Sequence, residues 1–117
     1  MSRILSPPAY LHLQSVAPVH NRYRLYTIRI ETSNSLAGAP LIVTCAWGRI
    51  GQQLQRRVYQ CESLETIEKL LLRLLRVRLR HGYGLVERGE GFPEIEVLAE
   101  FPVVERMRVG QLQLFGE

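Results

Sequence analysis

The feature that most constrains this chain is an amphipathic helix pattern that begins at Ser63 and ends before Gly82. Ser63 is a favourable N-cap, and Gly82 and Gly84 stop the pattern. At 100° per residue, one face collects five apolar side chains: Ile67, Leu70, Leu71, Leu74 and Val77. Arg78 falls among these apolar positions. A single helix has nothing to bury that face against, so the rest of the chain must supply a sheet that covers it.

Strand patterns lie on both sides of the helix. Alternating apolar and polar residues predict strands over residues 10–15, 23–31, 41–47, 54–60 and 94–101. Pro18 and Asn21 mark one turn, and residues 48–53 mark another that joins the third and fourth strands as a hairpin. The sequence therefore predicts an α+β fold, with a twisted antiparallel β-sheet and one main α-helix packed on one face.

The charge distribution favours an anionic partner. Fourteen of the fifteen basic residues are Arg, and the net charge at pH 7 is +4. Residues 1–83 hold twelve basic side chains against four Glu, whereas residues 84–117 hold three against seven. Guanidinium groups pair bidentately with phosphate oxygens, so this basic body suits a phosphate-bearing ligand. Codon composition explains the excess of Arg over Lys equally well.

The sequence lacks the residues that several kinds of metal and catalytic site require. The sequence has no Asp, which excludes Asp-based calcium loops, Asp-led phosphoryl-transfer sites and Asp-containing triads. Cys45 and Cys61 have no CxxC spacing and no nearby His pair, so we expect no metal or other cofactor, and buried thiols in the reducing cytoplasm. No apolar run approaches the roughly 18 residues of a membrane helix, and residues 1–10 do not read as a secretory signal.

The run Trp47-Gly48-Arg49-Ile50-Gly51 suits contact with a nucleic-acid backbone. The glycines permit positive φ and a close approach of the main chain to a ligand. Trp47 offers a flat surface that can stack on a sugar or a base, and Arg49 can hold a phosphate. From the residues alone, the alternative is that Trp47 is a core aromatic and Arg49 is solvated.

Within this order of elements, the run resembles the WGR domain of DNA-damage-activated ADP-ribosyltransferases and of small bacterial proteins. The resemblance spans about residues 10–85, and the segment 13–21 is similar to the bacterial form. Residues 1–9 are then an extended lead, and residues 86–117 a C-terminal extension with a strand and a terminal docking peptide. The resemblance implies an antiparallel sheet with one helix, and binding to DNA ends or nicks, as in DNA repair.

The resemblance also implies individual roles. In members seen to bind DNA, the motif Trp packs on the sugar-phosphate at the break, the motif Arg contacts the backbone, and an Asn sits near the terminal phosphate. These correspond to Trp47, Arg49 and Asn21. The family's basic residue five positions before the closing aromatic corresponds to Arg78, with Tyr83 as the aromatic. Many members carry a Gly-Gln pair where residues 52–55 read Gln-Gln-Leu-Gln, which leaves the shape of this turn open.

Two arginine assignments depend on packing. Arg56 and Arg57 point to opposite faces of a strand, so only one can join Arg49, and we take Arg56. For Arg78 the alternative role is a structural hydrogen bond to carbonyls at the helix end. The predicted DNA-binding set is Asn21, Trp47, Gly48, Arg49, Arg56, Arg78 and Tyr83.

A second motif lies near the C-terminus. Gln111-Leu112-Gln113-Leu114-Phe115 resembles the pentapeptide by which bacterial replication and repair proteins dock on the ring-shaped sliding clamp. In that mode Gln111 binds polar groups, while Leu112, Leu114 and Phe115 supply the apolar contacts. The alternatives are a last β-strand or docking onto the chain's own domain, since an exposed Leu-Leu-Phe tail would favour aggregation.

The sequence thus predicts a non-enzymatic DNA-binding module, with the sliding clamp as a second partner and neither a membrane nor a small-molecule substrate. No nucleophile–base or acid–base arrangement can be assembled from its residues. The rival prediction is a protein-interaction adaptor that uses the sheet and the tail without binding DNA directly.

Overall fold

The computed structural model describes residues 5–33 and 41–108. These residues form strands β1 (Ala9–Ala17), β2 (Arg22–Thr32), β3 (Leu41–Arg49), β4 (Gln55–Cys61) and β5 (Gly84–Arg88), and helix α1 (Leu64–Arg80). Two short 3-10 helices cover Pro18–His20 and Glu96–Glu100. Within the described residues the five strands make one antiparallel sheet in the order β4-β3-β2-β1-β5, which confirms the predicted α+β fold.

Helix α1 lies on one face of the sheet, as its sequence pattern predicts. The Ser63 hydroxyl accepts a hydrogen bond from the Thr66 N–H at 3.2 Å, which confirms the N-cap. The helical residues that the sheet buries are Ile67, Leu70, Leu71 and Leu75. Leu75 therefore takes the central place that the sequence pattern gave to Leu74 and Val77, both half-buried at the edge of the interface.

The predicted strand over residues 94–101 is wrong. Glu96–Glu100 is a 3-10 helix, and its neighbours in sequence Val97 and Leu98 are both buried in the core that α1 and the sheet share. A strand would send these adjacent side chains to opposite faces, whereas one helical turn lets both reach the same core.

Strand β5 is the strand that sequence patterning missed. It pairs with β1, with Leu13 opposite Leu85 and a register irregularity between His12 and Leu13. On its outer side, the Leu85 N–H donates to the Pro102 carbonyl at 2.7 Å, and the Val104 N–H donates to the Leu85 carbonyl at 2.9 Å. The chain after the 3-10 helix thus covers this edge of the sheet.

The core extends into the C-terminal part of the described chain. Phe92, Val97, Leu98 and Phe101 are buried together with Leu11, Leu13, Ile28 and the apolar face of α1. No helix within residues 5–33 and 41–108 is long and apolar enough to cross a bilayer.

Candidate functional site

A cleft of about 960 Å³ opens where the end of β3, the start of β2 and the C-terminus of α1 meet. Six of the seven predicted DNA-binding residues line it: Asn21, Trp47, Gly48, Arg49, Arg78 and Tyr83. Arg56 does not line the cleft. It pairs with Ala46 on β3, whereas Cys45 and Trp47 point to the sheet face that carries the helix, so Arg56 points to the opposite face. Its predicted DNA contact stays a prediction on a different surface.

Trp47 joins the core to the cleft. It lies opposite Tyr26 in the β2–β3 register, and the two rings are 6.2 Å apart with a tilt of 31°. Trp47 is only half-buried, so one part of the indole packs on the core while the rest borders the cleft. Trp47 can therefore be a core aromatic and still offer part of its ring to a ligand.

The Arg49 side chain is held in place rather than simply solvated. Its Nη1 donates to the Asn21 backbone carbonyl and its Nη2 to Asn21 Oδ1, both at 3.3 Å. Asn21 has the left-handed conformation (φ 52°, ψ 39°), which Asn tolerates well, at the end of the turn before β2. The Tyr23 ring lies 5.0 Å from the Arg49 guanidinium carbon and supports it from a second side.

Arg78 is held by aromatic rings. Its guanidinium carbon lies 4.4 Å from the centre of the Tyr26 ring and 5.7 Å from that of Tyr83. The carbonyls near the helix end are occupied by backbone donors, since the His81 N–H bonds to Val77 and Arg78 and the Tyr83 N–H bonds to Arg78. Among the described residues the buried Nε of Arg78 has no hydrogen-bond partner. The contacts that hold Arg78 are therefore with aromatic rings, and its role at the helix end stays a prediction.

The glycines of the motif shape the turn as predicted. Gly48 has φ 149° and Gly51 φ 88°, which confirms the expected positive φ at both positions. Between them, the Ile50 N–H donates to the Tyr23 carbonyl at 2.8 Å and the Ile50 side chain is buried. Ile50 therefore anchors the motif to β2 and fixes the direction in which Arg49 leaves the backbone.

The electrostatic character of the cleft is positive. Its cationic or titratable basic lining consists of Arg22, Arg24, Arg49, Arg78, Arg80, His20 and His81, and no acidic side chain is among the described lining residues. Burial raises the pKa of the Tyr26 hydroxyl and of the Cys45 thiol, so the groups beneath the cleft stay neutral at pH 7. Uncompensated guanidinium groups beside a tryptophan suit an anion attached to a flat group.

The cleft is also lined by three arginines outside the predicted DNA-binding set: Arg22, Arg24 and Arg80. Arg24 lies directly opposite Arg49 in the β2–β3 register, and Arg80 lies in the last turn of α1. Arg22 and Arg24 flank Tyr23 at the start of a strand that follows a predicted turn, and that local cluster was the available signal. Their convergence with Arg80 depends on how the helix crosses the sheet.

Other predicted features stand apart from the cleft. The docking peptide 111–115 lies outside the described residues, so its role stays a prediction. The chain that leads to it contacts the sheet face opposite α1, which we call the far face. There the Met107 N–H donates to Gln14 Oε1 at 2.8 Å, and Gln14 Nε2 donates to the Met107 carbonyl at 3.2 Å. Residues 5–33 and 41–108 contain no cluster of three or more His, Cys, Asp or Glu that could hold a metal ion.

Comparison with known proteins gives one result. The family model of the WGR domain matches residues 9–91 of the chain. No curated protein and no solved structure matches it.

Proposed function

The chain belongs to the WGR domain family, and on that premise we propose that its cleft binds the sugar-phosphate backbone of DNA at ends or nicks. The WGR domain is generally a nucleic-acid-binding module, which fits DNA binding. DNA as the nucleic acid, and a break as the preferred place, are the finer parts of the proposal.

The observation that carries the proposal is the charge of the cleft. Five arginines line one concave surface without an acidic neighbour among the described lining residues. Bringing together unpaired guanidinium groups is unfavourable unless an anionic ligand offsets their repulsion. A phosphodiester backbone supplies closely spaced anionic groups that can bind several of these side chains at once.

Preference for a break follows from the chemistry of Trp47. In a continuous duplex the bases stack on one another, whereas an end or a nick exposes the face of a terminal base or sugar. In the proposed complex Trp47 packs on that exposed group. Arg49 and Arg78, oriented by Asn21 and the tyrosine rings, bind the adjacent phosphates.

The test is fluorescence anisotropy with two DNA molecules that differ only in a break. One is a covalently closed dumbbell without ends, and the other is the same dumbbell with a single nick. We expect the full chain to prefer the nicked form, Trp47→Ala to lose that preference, and Arg49→Ala to bind both forms more weakly. Arg106→Ala removes the same charge on the opposite face and serves as the matched control. Equal affinity for both DNA molecules would contradict recognition of breaks, and equal binding by wild type and Arg49→Ala would contradict use of the cleft.

We also propose that residues 111–115 dock on the bacterial sliding clamp. The motif supports this role, and so does the hold on Met107, four residues before Gln111 and on the face opposite the cleft. Purified clamp should retain the full chain but not the Gln111→Ala/Phe115→Ala variant, and retention of both would contradict the assignment. A different partner that stays bound after complete nuclease digestion would favour the adaptor function instead.

A further inference from the structure

A second basic surface runs along α1 and meets the cleft at one residue. A groove of about 320 Å³ on the helix is lined by Lys69, Leu72, Arg73, Arg76, Val77 and Arg80. Arg80 also lines the cleft, so the two surfaces are continuous. We call the row Lys69, Arg73, Arg76 and Arg80 the helix track.

Only one residue of the helix track makes an ion pair among the described residues. Lys69 pairs with Glu65 at 3.9 Å, with both side chains about 80% exposed, so the pair is weak. Arg73, Arg76 and Arg80 are exposed and make no hydrogen bond or ion pair within the described part of the chain. The guanidinium groups of these three arginines are therefore available to an anionic ligand.

Acidic side chains limit the track on one side. A neighbouring groove between α1 and the 3-10 helix is lined by Glu65, Glu68, Glu96 and Glu100 together with Lys69 and Arg76. On the other side, Lys69 and Arg73 border a groove toward β4 that has no acidic lining residue among those described. A polyanion on the track would therefore lean toward β4 and away from the glutamates.

The length of the track suits a nucleic-acid backbone. The eleven-residue separation of Lys69 and Arg80 corresponds to about 16 Å along a helix that rises 1.5 Å per residue. That distance spans about five base-pair rises of 3.4 Å. Because the track begins at Arg80 in the cleft lining, a duplex whose end is bound in the cleft can continue along it.

We propose that the helix track binds the phosphate backbone of the duplex behind the break. This inference rests on the proposed function of the cleft and adds a second contact region to it. The bound DNA then extends from the break along α1, and affinity depends on the length of duplex available as well as on the break itself.

The decisive variant is Arg73→Gln/Arg76→Gln, with Arg29→Gln/Arg106→Gln as a control that removes the same charge from the opposite sheet face. Affinity is measured against salt concentration with a blunt-ended hairpin. Each lost phosphate contact lowers the slope of log affinity against log salt by about 0.9, so the track variant should lose about 1.8 and the control much less. Extending the hairpin stem by about five base pairs should strengthen binding by wild type but not by the track variant.

The results separate this inference from the function of the cleft. Weak binding by Arg49→Ala, together with a wild-type slope and length dependence for the track variant, would overturn the helix track alone. An equal loss of slope in the control variant would also overturn it, because net charge would then explain the effect. If the wild-type chain bound none of these DNA molecules, the proposed function itself would fail. Circular dichroism of both double variants verifies that they fold.

Discussion

Polar groups have partners on one surface of this molecule and lack them on another. At the cleft, five arginines meet without an acidic partner in the described lining. On the far face of the sheet, Arg106 pairs with Glu87, and Gln14 bonds both polar backbone groups of Met107. His12 bonds to Tyr10 and Gln14 in the same network.

This difference indicates that the far face contributes mainly to stability and the cleft mainly to binding. Polar groups that satisfy one another stabilise the fold but have little left for a ligand, whereas unpaired charges cost stability and are available to bind. The two surfaces should therefore respond oppositely to substitution. Changes at the cleft should alter the affinity for DNA, and changes on the far face should alter the free energy of unfolding.

The largest expected effect is at Arg78. Arg78→Met keeps an apolar stem against Tyr26 and removes the guanidinium, so we expect the dissociation constant for nicked DNA to rise about 10- to 100-fold, in line with the loss of a charge-assisted hydrogen bond. Arg106→Met is the matched change on the far face and should leave the dissociation constant within about twofold. Anisotropy titrations measure both, and similar affinities for the two variants would remove the proposed difference between the surfaces.

The next effect is on stability. Gln14→Met leaves the N–H and the carbonyl of Met107 without their partner, so the free energy of unfolding should fall by about 1–3 kcal/mol while the affinity for DNA is unchanged. Gln53→Met, an exposed amide at the rim of the cleft, should show little loss of stability. Urea denaturation compares the variants. A stability loss at Gln53 that equals the loss at Gln14 would contradict the separation.

A smaller effect tests how Asn21 acts. Asn21→Gly retains the left-handed backbone but removes the Oδ1 acceptor of Arg49, so binding should weaken about two- to tenfold. If Asn21 works through Arg49, the same change should have no further effect in an Arg49→Ala background. An additive loss would instead indicate that Asn21 contacts the DNA itself, as the family resemblance implies.

The smallest effect is a pH dependence on the far face. Burial lowers the pKa of His12 below its usual 6.5, and the charge of Arg106 lowers it further, against the opposing charge of Glu87. The unfolded chain thus binds the proton more readily, so the stability from neutral His12 is complete above about pH 6.5 and falls as the pH drops below that value. Thermal unfolding of wild type should be more acid-sensitive than that of His12→Gln between about pH 7 and pH 5. Identical acid sensitivity would mean that another group governs this range.

Most of the sheet and the helix could be predicted from periodicity. The strand over residues 23–31 and the helix after Ser63 carry clear apolar repeats, and the structure confirms both with boundaries shifted by one or two residues. Strand β5 has five residues, begins at a glycine and pairs irregularly with β1, so it leaves little pattern in the sequence. In residues 94–101 the alternation does suggest a strand, but the exposed edge that such a strand needs is taken by residues 102–104.

Part of the cleft could be predicted from one short motif and the family resemblance. The motif at 47–51 indicates Trp47 and Arg49, the resemblance implies Asn21 and Arg78, and the structure brings these residues together. Arg22, Arg24 and Arg80 join them through the β2–β3 register and the path of α1, which single-residue patterns do not encode. The ring contacts that orient Arg78 likewise depend on tertiary packing of Tyr26 and Tyr83.

The closed edge of β5 bears on how this protein can be used as a transferable part. Gly84 lets the returning chain approach, since a Cβ there would lie 2.6 Å from Val104 Cγ1 and 2.9 Å from the Pro102 carbonyl. A segment that ends at residue 91 would lack the returning chain and four core side chains, Phe92, Val97, Leu98 and Phe101. The apolar residues that these side chains cover would then be exposed in a fusion protein. A transferable segment must therefore include the returning chain through Val104, and a recipient protein must be joined beyond it.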